Sequence, residues 1–243
     1  MTTTALEIAV QDPAGARAAM RAGADRVELC QALSATGGLT PSAATIDAVL
    51  AAVGSPERLA VLIRPRAGGF VYDEEEIALI TADIAETVRR GAGAVVVGAL
   101  TGDGALDRRA LDRWKEAAGE AEVVFHRAID TLAEPRAVIG DLVDCGVARI
   151  LTSGGAVRSI DGADVLGGLV EEAAGRLQIM AGGGVRPEDI AALVSRGVDA
   201  VHLSAKTGSA DDAPSGPGGG ETGFDVTDEG IVLRAVEALR STR

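Results

Sequence analysis

The side chains best suited to chemistry in this sequence stand within or directly after short apolar runs. Both histidines, His126 and His202, and one of the two cysteines, Cys30, occupy such positions. Successive side chains of a β-strand point to opposite faces, and the alternation along each run places these three residues on the face that carries other polar groups. The set inferred to point inward is Glu7, Glu28, Cys30, Arg64, His126, His202 and Ser204.

A polar inward face has two interpretations. Burying an ionisable group costs several kcal/mol unless it is paired or hydrogen-bonded, so the set forms either a satisfied structural network or a functional site. A Glu–Arg plug across a barrel floor would account for Glu7 equally well. Groups at strand ends favour function, because the active sites of α/β barrels lie at the C-terminal ends of the strands. If the protein is an enzyme, we therefore take Glu28, Arg64, His126 and His202 as its candidate catalytic residues, with His126 or Glu28 as the general acid/base.

A second group of residues indicates an anion site. Glycines follow the seventh strand run, and hydroxyl groups follow the sixth and eighth, where many barrels bind phosphate through backbone N–H groups. Arginine gives bidentate contacts to phosphate or carboxylate. A tight strand-to-helix turn would also explain some of the glycines. The candidate anion-binding residues are Gly182, Gly183, Gly184, Ser153, Gly154, Ser204, Arg66 and Arg127.

The residue types that are missing from the predicted strand ends exclude some classes of enzyme reaction. No lysine ends a strand run, and the nearest one, Lys206, falls in a Gly/Pro-rich segment, which disfavours Schiff-base chemistry. No His-x-His or carboxylate cluster has the spacing of a metal-dependent hydrolase. The enzyme interpretation that remains is an isomerase or lyase that forms no Schiff base and acts on a small phosphorylated or carboxylated substrate. A barrel that only binds or scaffolds is a third alternative.

The elements that must position these residues repeat as a strand followed by a helix. Eight such units at intervals of about 20 to 35 residues predict a single (β/α)₈ TIM-barrel-like domain over residues 1–243; an open doubly wound sheet is the alternative. Residues 206–223, rich in Gly and Pro, are predicted to be a flexible loop. The predicted strands are Leu6–Val10, Arg26–Cys30, Leu59–Arg64, Ala94–Gly98, Glu122–His126, Arg149–Ser153, Leu177–Ala181 and Ala200–Ser204.

Composition limits the partners. The net charge is −13 and the isoelectric point about 4.6, which disfavours nucleic acid and anionic membrane surfaces as partners. The first residues lack the features of a secretory signal, and two cysteines are too few for a disulfide framework. We expect a cytoplasmic protein whose partner is a small anion, and a homodimer, since such barrels often pair through helical faces.

Six ordered segments carry a more specific resemblance. They extend across most of the chain and together resemble the signature blocks of the copper homeostasis protein CutC family. A set of six blocks in order is far more specific than any one glycine-rich turn. The segments are 26–30 (RVELC), 37–42 (GGLTPS), 63–66 (IRPR) with 68–70 (GGF), 125–128 (FHRA) with Asp130, 150–154 (ILTSG) and 180–185 (MAGGGV).

The resemblance implies a cytoplasmic TIM-barrel-like protein associated with copper tolerance, some members of which are described as binding copper(I). It makes Cys30 the expected soft ligand, because thiolate, thioether and imidazole groups suit copper(I). Cys145 is predicted to end a helix at the opposite end of the barrel, so the two cysteines are not expected to share a metal. A copper(I) site formed by Cys30 together with His126, His202 or Met180 remains one of the alternatives.

Overall fold

Eight parallel strands, hydrogen-bonded in sequence order, close into a barrel in the computed structural model, which describes residues 4–209 and 223–242. The closed ring confirms the (β/α)₈ fold class and removes the open-sheet alternative. Each strand lies within two residues of its predicted bounds. The strands are β1 (Ala5–Val10), β2 (Arg26–Leu29), β3 (Leu59–Leu62), β4 (Ala94–Val97), β5 (Glu122–Phe125), β6 (Val147–Thr152), β7 (Gln178–Gly182) and β8 (Ala200–Leu203).

Helices cover the outside of the barrel and begin at capping residues that the sequence makes recognisable. Asp12 accepts the N–H of Gly15 at 2.7 Å, and Asp73 forms a reciprocal capping box with Glu76. No helix among the described residues is long and apolar enough to cross a bilayer. The helices are α1 (Pro13–Ala22), α2 (Leu33–Thr36), α3 (Ala43–Val53), α4 (Glu74–Arg89), α5 (Arg108–Ala118), α6 (Ile139–Asp144), α7 (Ala163–Ala173), α8 (Ile190–Val194) and α9 (Glu229–Arg240).

The barrel has two separate apolar cores, one on each face of the sheet. One parity of the strand residues packs under the helices, as Val27 and Leu29 of β2 do. The other parity fills the lumen with a smaller cluster that includes Cys30, Leu62, Val96 and Met180. The alternation of side chains that the sequence indicates therefore correctly assigns strand residues to the helix-facing side or to the lumen.

Strand register brings the lumen charges together. Glu7 on β1 is the Cα partner of Arg26 on β2 and of His202 on β8. Paired residues of parallel strands point to the same face, so these three side chains meet inside the barrel. Glu28 lies farther along β2 on that same face, nearer the C-terminal mouth.

A short antiparallel strand pair follows the barrel. It consists of β9 (Lys206–Ser209) and β10 (Phe224–Thr227). The structure differs here from the predicted loop 206–223, whose first four residues form a strand, because pairing with β10 and contacts of Lys206 and Asp225 with Ser34 order a segment of weak local propensity. Residues 210–222 of that loop lie outside the described residues.

Candidate functional site

A cavity of about 410 Å³ opens at the C-terminal mouth of the barrel. Its volume lies within the range typical of small-molecule sites. The four candidate catalytic residues, Glu28, Arg64, His126 and His202, all lie in its wall. The residues lining it are Ala9, Glu28, Leu33, Ser34, Gly37, Leu62, Arg64, Phe70, His126, Arg127, Leu151, Gly182, Gly183, Gly184, Val185, His202, Leu203, Ser204 and Lys206.

His202 is oriented by a buried carboxylate beneath the cavity. Its Nδ1 lies 2.8 Å from Oε1 of Glu7, while Oε2 of Glu7 accepts a hydrogen bond from Arg26. Burial would raise the pKa of Glu7, but Arg26 and His202 outweigh it and lower that pKa to about 2. Burial would lower the pKa of His202, but the hydrogen bond to Glu7 and the nearby carboxylates raise it. The Glu7 carboxylate and the His202 imidazole therefore stabilise each other's charged form.

Glu28 is a buried carboxyl group with unused hydrogen-bonding capacity. It is 5% exposed, and its Oε2 has no hydrogen-bond partner among the described residues. Burial raises the pKa of Glu28 to about 7; the Glu7 carboxylate adds to this effect and His202 opposes it. Potential ligand atoms of Glu7, Glu28 and His202 all lie within 4.8 Å of one another. A carboxyl group that titrates near neutral pH thus stands beside an oriented imidazole, which is an arrangement suited to proton transfer.

His126 lies in the wall as a neutral imidazole. It caps the short 3₁₀ turn Arg127–Thr131, and its Nδ1 accepts the N–H of Ala128 at 3.2 Å. Burial, followed by the charge of Arg64, lowers the pKa of His126 to about 3. The Phe70 ring lies against the imidazole, with 4.7 Å between the ring centroids.

Arg64 lines the cavity, but its guanidinium donates mainly to backbone carbonyl oxygens. Its guanidinium donates to the carbonyl oxygens of Thr36, Gly38 and Gly68 at 2.9, 3.2 and 2.6 Å. It also lies 5.2 Å from the centroid of the Phe70 ring. The structure therefore places Arg64 as a cross-link between the loops that follow β2 and β3.

The rim next to β7 combines two glycines in the left-handed region with the side chain of Arg127. Gly183 and Gly184 have φ values of 127° and 60°, a region open to glycine. A Cβ at Gly183 would lie 3.1 Å from Cζ of Arg127 and 3.0 Å from Cβ of Ser153. The missing side chain lets the Arg127 guanidinium lie against this turn. Arg127 Nη1 makes no hydrogen bond within the described chain, whereas Nε and Nη2 bind Asp130 and Ser153.

Three of the predicted anion-binding residues lie outside the cavity lining. Ser153 is fully buried behind Arg127 and accepts a hydrogen bond from it at 3.0 Å. A Cβ at Gly154 would lie 2.5 Å from the carbonyl oxygen of Gly162, so close backbone packing explains this glycine. Arg66 forms an ion pair with Glu76, which directs its charge toward the start of α4. Gly182, Gly183, Gly184, Ser204 and Arg127 do line the cavity.

One residue of the cavity is discounted by sequence reasoning, and others are missed by it. Lys206 is set aside because it falls in the Gly/Pro-rich segment, but the ordered β9 places it on the rim with Ser34, where its Nζ pairs with Asp225 at 2.9 Å. No local signal separates such a residue from a loop lysine. Phe70 falls in one of the CutC-like segments, but only the tertiary structure shows its ring against His126.

The Glu7–Glu28–His202 group is the one cluster of three potential metal ligands within the described ranges. Both carboxylate oxygens of Glu7 already have partners, Arg26 and His202. A divalent cation bound here would compete with these two contacts.

The surroundings of Cys30 do not fit copper(I). The thiol is fully buried beneath Gly38 and lies 3.9 Å from the carbonyl oxygen of Val10. Burial, with the Glu28 charge adding to it, raises the pKa of Cys30, whereas copper(I) binds the thiolate. In the part of the chain that the structure describes, Cys30 joins no cluster of three His, Cys or carboxylate ligands. Cys145 follows α6 at the opposite end of the barrel.

The fold and this cavity define a (β/α)₈-barrel protein with a polar cavity at the C-terminal ends of its strands. Comparison with known proteins agrees with that class. Residues 4–207 match the CutC family, and the chain belongs to it.

Individual relatives resemble this chain over most of its length. A CutC protein of Xanthomonas axonopodis pv. citri is 41% identical over 239 residues, 97% of this chain and 98% of the relative. One from Agrobacterium fabrum is 42% identical over 200 residues, 82% of this chain and 78% of the relative. The crystal structure of a candidate copper homeostasis protein CutC from Streptococcus agalactiae has a TM-score of 0.76 at 32% identity, covering 84% of this chain and 99% of that one.

Proposed function

We propose that this chain is an enzyme that performs acid/base chemistry on a small phosphorylated or carboxylated molecule bound at the barrel mouth. The reaction class is isomerisation or elimination without a Schiff base. The observation that carries the proposal is the buried Glu28 carboxyl group, unpartnered at Oε2, beside an imidazole that a second carboxylate orients. A purely structural lumen would be more stable with apolar side chains there.

Glu28 and His202 supply the proton-transfer pair in this proposal. Glu7 holds Nδ1 of His202, so the other ring nitrogen is left to exchange protons with the ligand. Because the pKa of Glu28 is raised to about 7, this group can both accept and return a proton near neutral pH. Lys206 is engaged by Asp225 in the β9–β10 pair, and the chemistry is assigned to Glu28 and His202.

The anionic part of the ligand is assigned to the rim beside β7. Arg127 supplies a guanidinium that is paired with Asp130 but whose Nη1 has no partner among the described residues, and Gly183 and Gly184 allow the backbone to approach closely. Ser204, directly after β8, adds a hydroxyl group to the same wall. Arg66 does not line the cavity, so it is left out of the proposed ligand site.

Matched arginine variants test this assignment. We expect inorganic phosphate and glycerol 3-phosphate to bind the wild-type protein, as measured by isothermal titration calorimetry. Arg127→Gln should weaken both by about 10- to 100-fold, the value of one charge-assisted hydrogen bond. Arg66→Gln removes the same charge outside the cavity and should leave binding unchanged. Equal effects of the two variants, or no binding to the wild type, would contradict the proposal.

Copper homeostasis is the second candidate function, and it comes from the CutC resemblance of the sequence and from the name of the Streptococcus relative. Among the described residues the buried Cys30 thiol joins no group of three His, Cys or carboxylate ligands, and copper(I) binding there stays a prediction that direct titration tests. A cytoplasmic location and a homodimer likewise stay predictions.

A further inference from the structure

His126 has a fixed tautomer. The backbone N–H of Ala128 donates to Nδ1 at 3.2 Å, so Nδ1 bears the lone pair. In a neutral imidazole the proton then resides on Nε2. This Nε2–H is buried and has no acceptor among the described residues, which is unusual, because buried donors nearly always have a partner.

The surroundings of His126 hold the ring in place and keep it uncharged. Gly98, which follows β4, leaves room for the imidazole: a Cβ there would lie 2.4 Å from Nδ1. Phe70 covers the ring and the Arg64 guanidinium lies over Phe70. Burial and the Arg64 charge lower the pKa of His126 to about 3. The ring is therefore a neutral hydrogen-bond donor throughout the neutral pH range.

From this geometry we infer that the His126 Nε2–H donates to a carbonyl oxygen of the substrate, and that the substrate class is a small carbonyl compound with a phosphate or carboxylate group. His126, Glu28 and His202 line one cavity. A neutral imidazole can stabilise an oxygen that gains negative charge without losing its own proton. This inference rests on the proposed function and specifies its substrate.

The corresponding step is the removal of a proton from the carbon next to the carbonyl group. The Glu28 carboxylate takes that proton, the C–H electron pair becomes a C=C bond, and the carbonyl π pair moves onto oxygen. His126 Nε2–H donates a hydrogen bond to this enolate oxygen. The protonated Glu28 then returns the proton to carbon, so the step needs no oxidant or other reactant.

Carbonyl and alcohol pairs test the inference by binding. The probes are dihydroxyacetone phosphate against glycerol 3-phosphate, and pyruvate against lactate. The wild-type protein should bind each carbonyl compound about 10-fold more tightly than its alcohol, because one more hydrogen bond forms. His126→Asn should abolish this preference. The asparagine side-chain oxygen can accept the Ala128 N–H in place of Nδ1 and so cap the same turn; binding of inorganic phosphate should therefore stay unchanged and report an intact fold.

Proton exchange tests the chemistry. In D₂O, the protein should speed replacement of the hydrogens next to the carbonyl group in one of the two carbonyl probes, followed by proton NMR. Glu28→Gln should slow the exchange at least about 100-fold, the usual contribution of a general base. His126→Asn should slow it by about 100- to 1,000-fold, as expected for an oxyanion donor.

The outcomes separate the inference from the proposed function. If phosphate binding depends on Arg127 but neither carbonyl preference nor proton exchange occurs with either pair, the inference is overturned and the anion site stands. If His126→Asn leaves both preference and exchange unchanged, the assigned donor role is also overturned. If the wild type binds none of the probes, the inference and the proposed function fail together.

Discussion

The Glu28→Gln variant gives the sharpest test of the lumen electrostatics, because it isolates one buried carboxyl group. Burial raises the pKa of Glu28 from its usual 4.5 to about 7. Between these values the folded protein holds a proton that the unfolded chain has lost. The free energy of unfolding therefore decreases as the pH rises through this window, and the decrease ends above about pH 7.

The magnitude follows from the same window. Each pH unit within it lowers the free energy of unfolding by about 1.4 kcal/mol, and the window covers most of the range between pH 5 and pH 8. Glutamine does not titrate, so the variant lacks this decrease. Between pH 5 and pH 8 the free energy of unfolding of Glu28→Gln should therefore rise by about 2 to 3 kcal/mol relative to that of the wild type. The gain should be small at pH 5 and nearly complete at pH 8.

Urea unfolding at pH 5, 6.5 and 8 measures this difference. Trp114, the one tryptophan of the sequence, is fully buried, so its fluorescence reports unfolding. Glu171→Gln, at an exposed position on α7, is the matched control and should show no such gain. A Glu28→Gln effect of equal size at all three pH values would refute the assignment of a neutral, buried Glu28 carboxyl group.

Three further predictions concern other parts of the lumen and mouth. Glu7→Gln removes the buried carboxylate that pairs with Arg26 and orients His202, and should lower the free energy of unfolding in urea at pH 7 by about 3 kcal/mol; an effect below 1 kcal/mol would argue against this pairing. Cys30→Ala should leave the stoichiometry and affinity of copper(I) unchanged in a titration of the reduced protein, whereas loss of one equivalent would establish the thiol as a ligand. Gly154→Ala, at a φ of 71° and with its Cβ 2.5 Å from the carbonyl oxygen of Gly162, should lower the thermal midpoint by several degrees or more; an unchanged midpoint would contradict the packing role.

The positions of the candidate catalytic residues could be predicted from the sequence, because the alternation of side chains along a strand is a local property. Glu28 and His202 occupy the inward parity of short apolar runs, and both line the observed cavity. His126 and Arg64 directly or closely follow such runs and reach the same wall. Closure of the barrel was then sufficient to bring them together.

Residues on loops were harder to assign. Arg66 and Arg127 both follow strands and carry the same charge, yet only Arg127 lines the cavity, because Glu76 at the start of α4 binds Arg66. Lys206 reaches the rim only because β9 pairs with a strand that lies well beyond it in the sequence. Contacts of this kind depend on the path of each loop, which propensity and periodicity do not specify.

The amino-acid sequence by itself determined the eight strand–helix units, the face of each strand that points inward, and the family. The tertiary structure decided which of the inward groups are paired and which are free. Glu7 and His202 are 195 positions apart and meet at 2.8 Å only because β1 and β8 close the ring. Protonation depends on such distances and on burial, because the Coulomb interaction and the cost of desolvation change steeply over a few ångströms. The neutral His126, the Glu7–His202 contact and the raised pKa of Glu28 are therefore properties of the folded barrel.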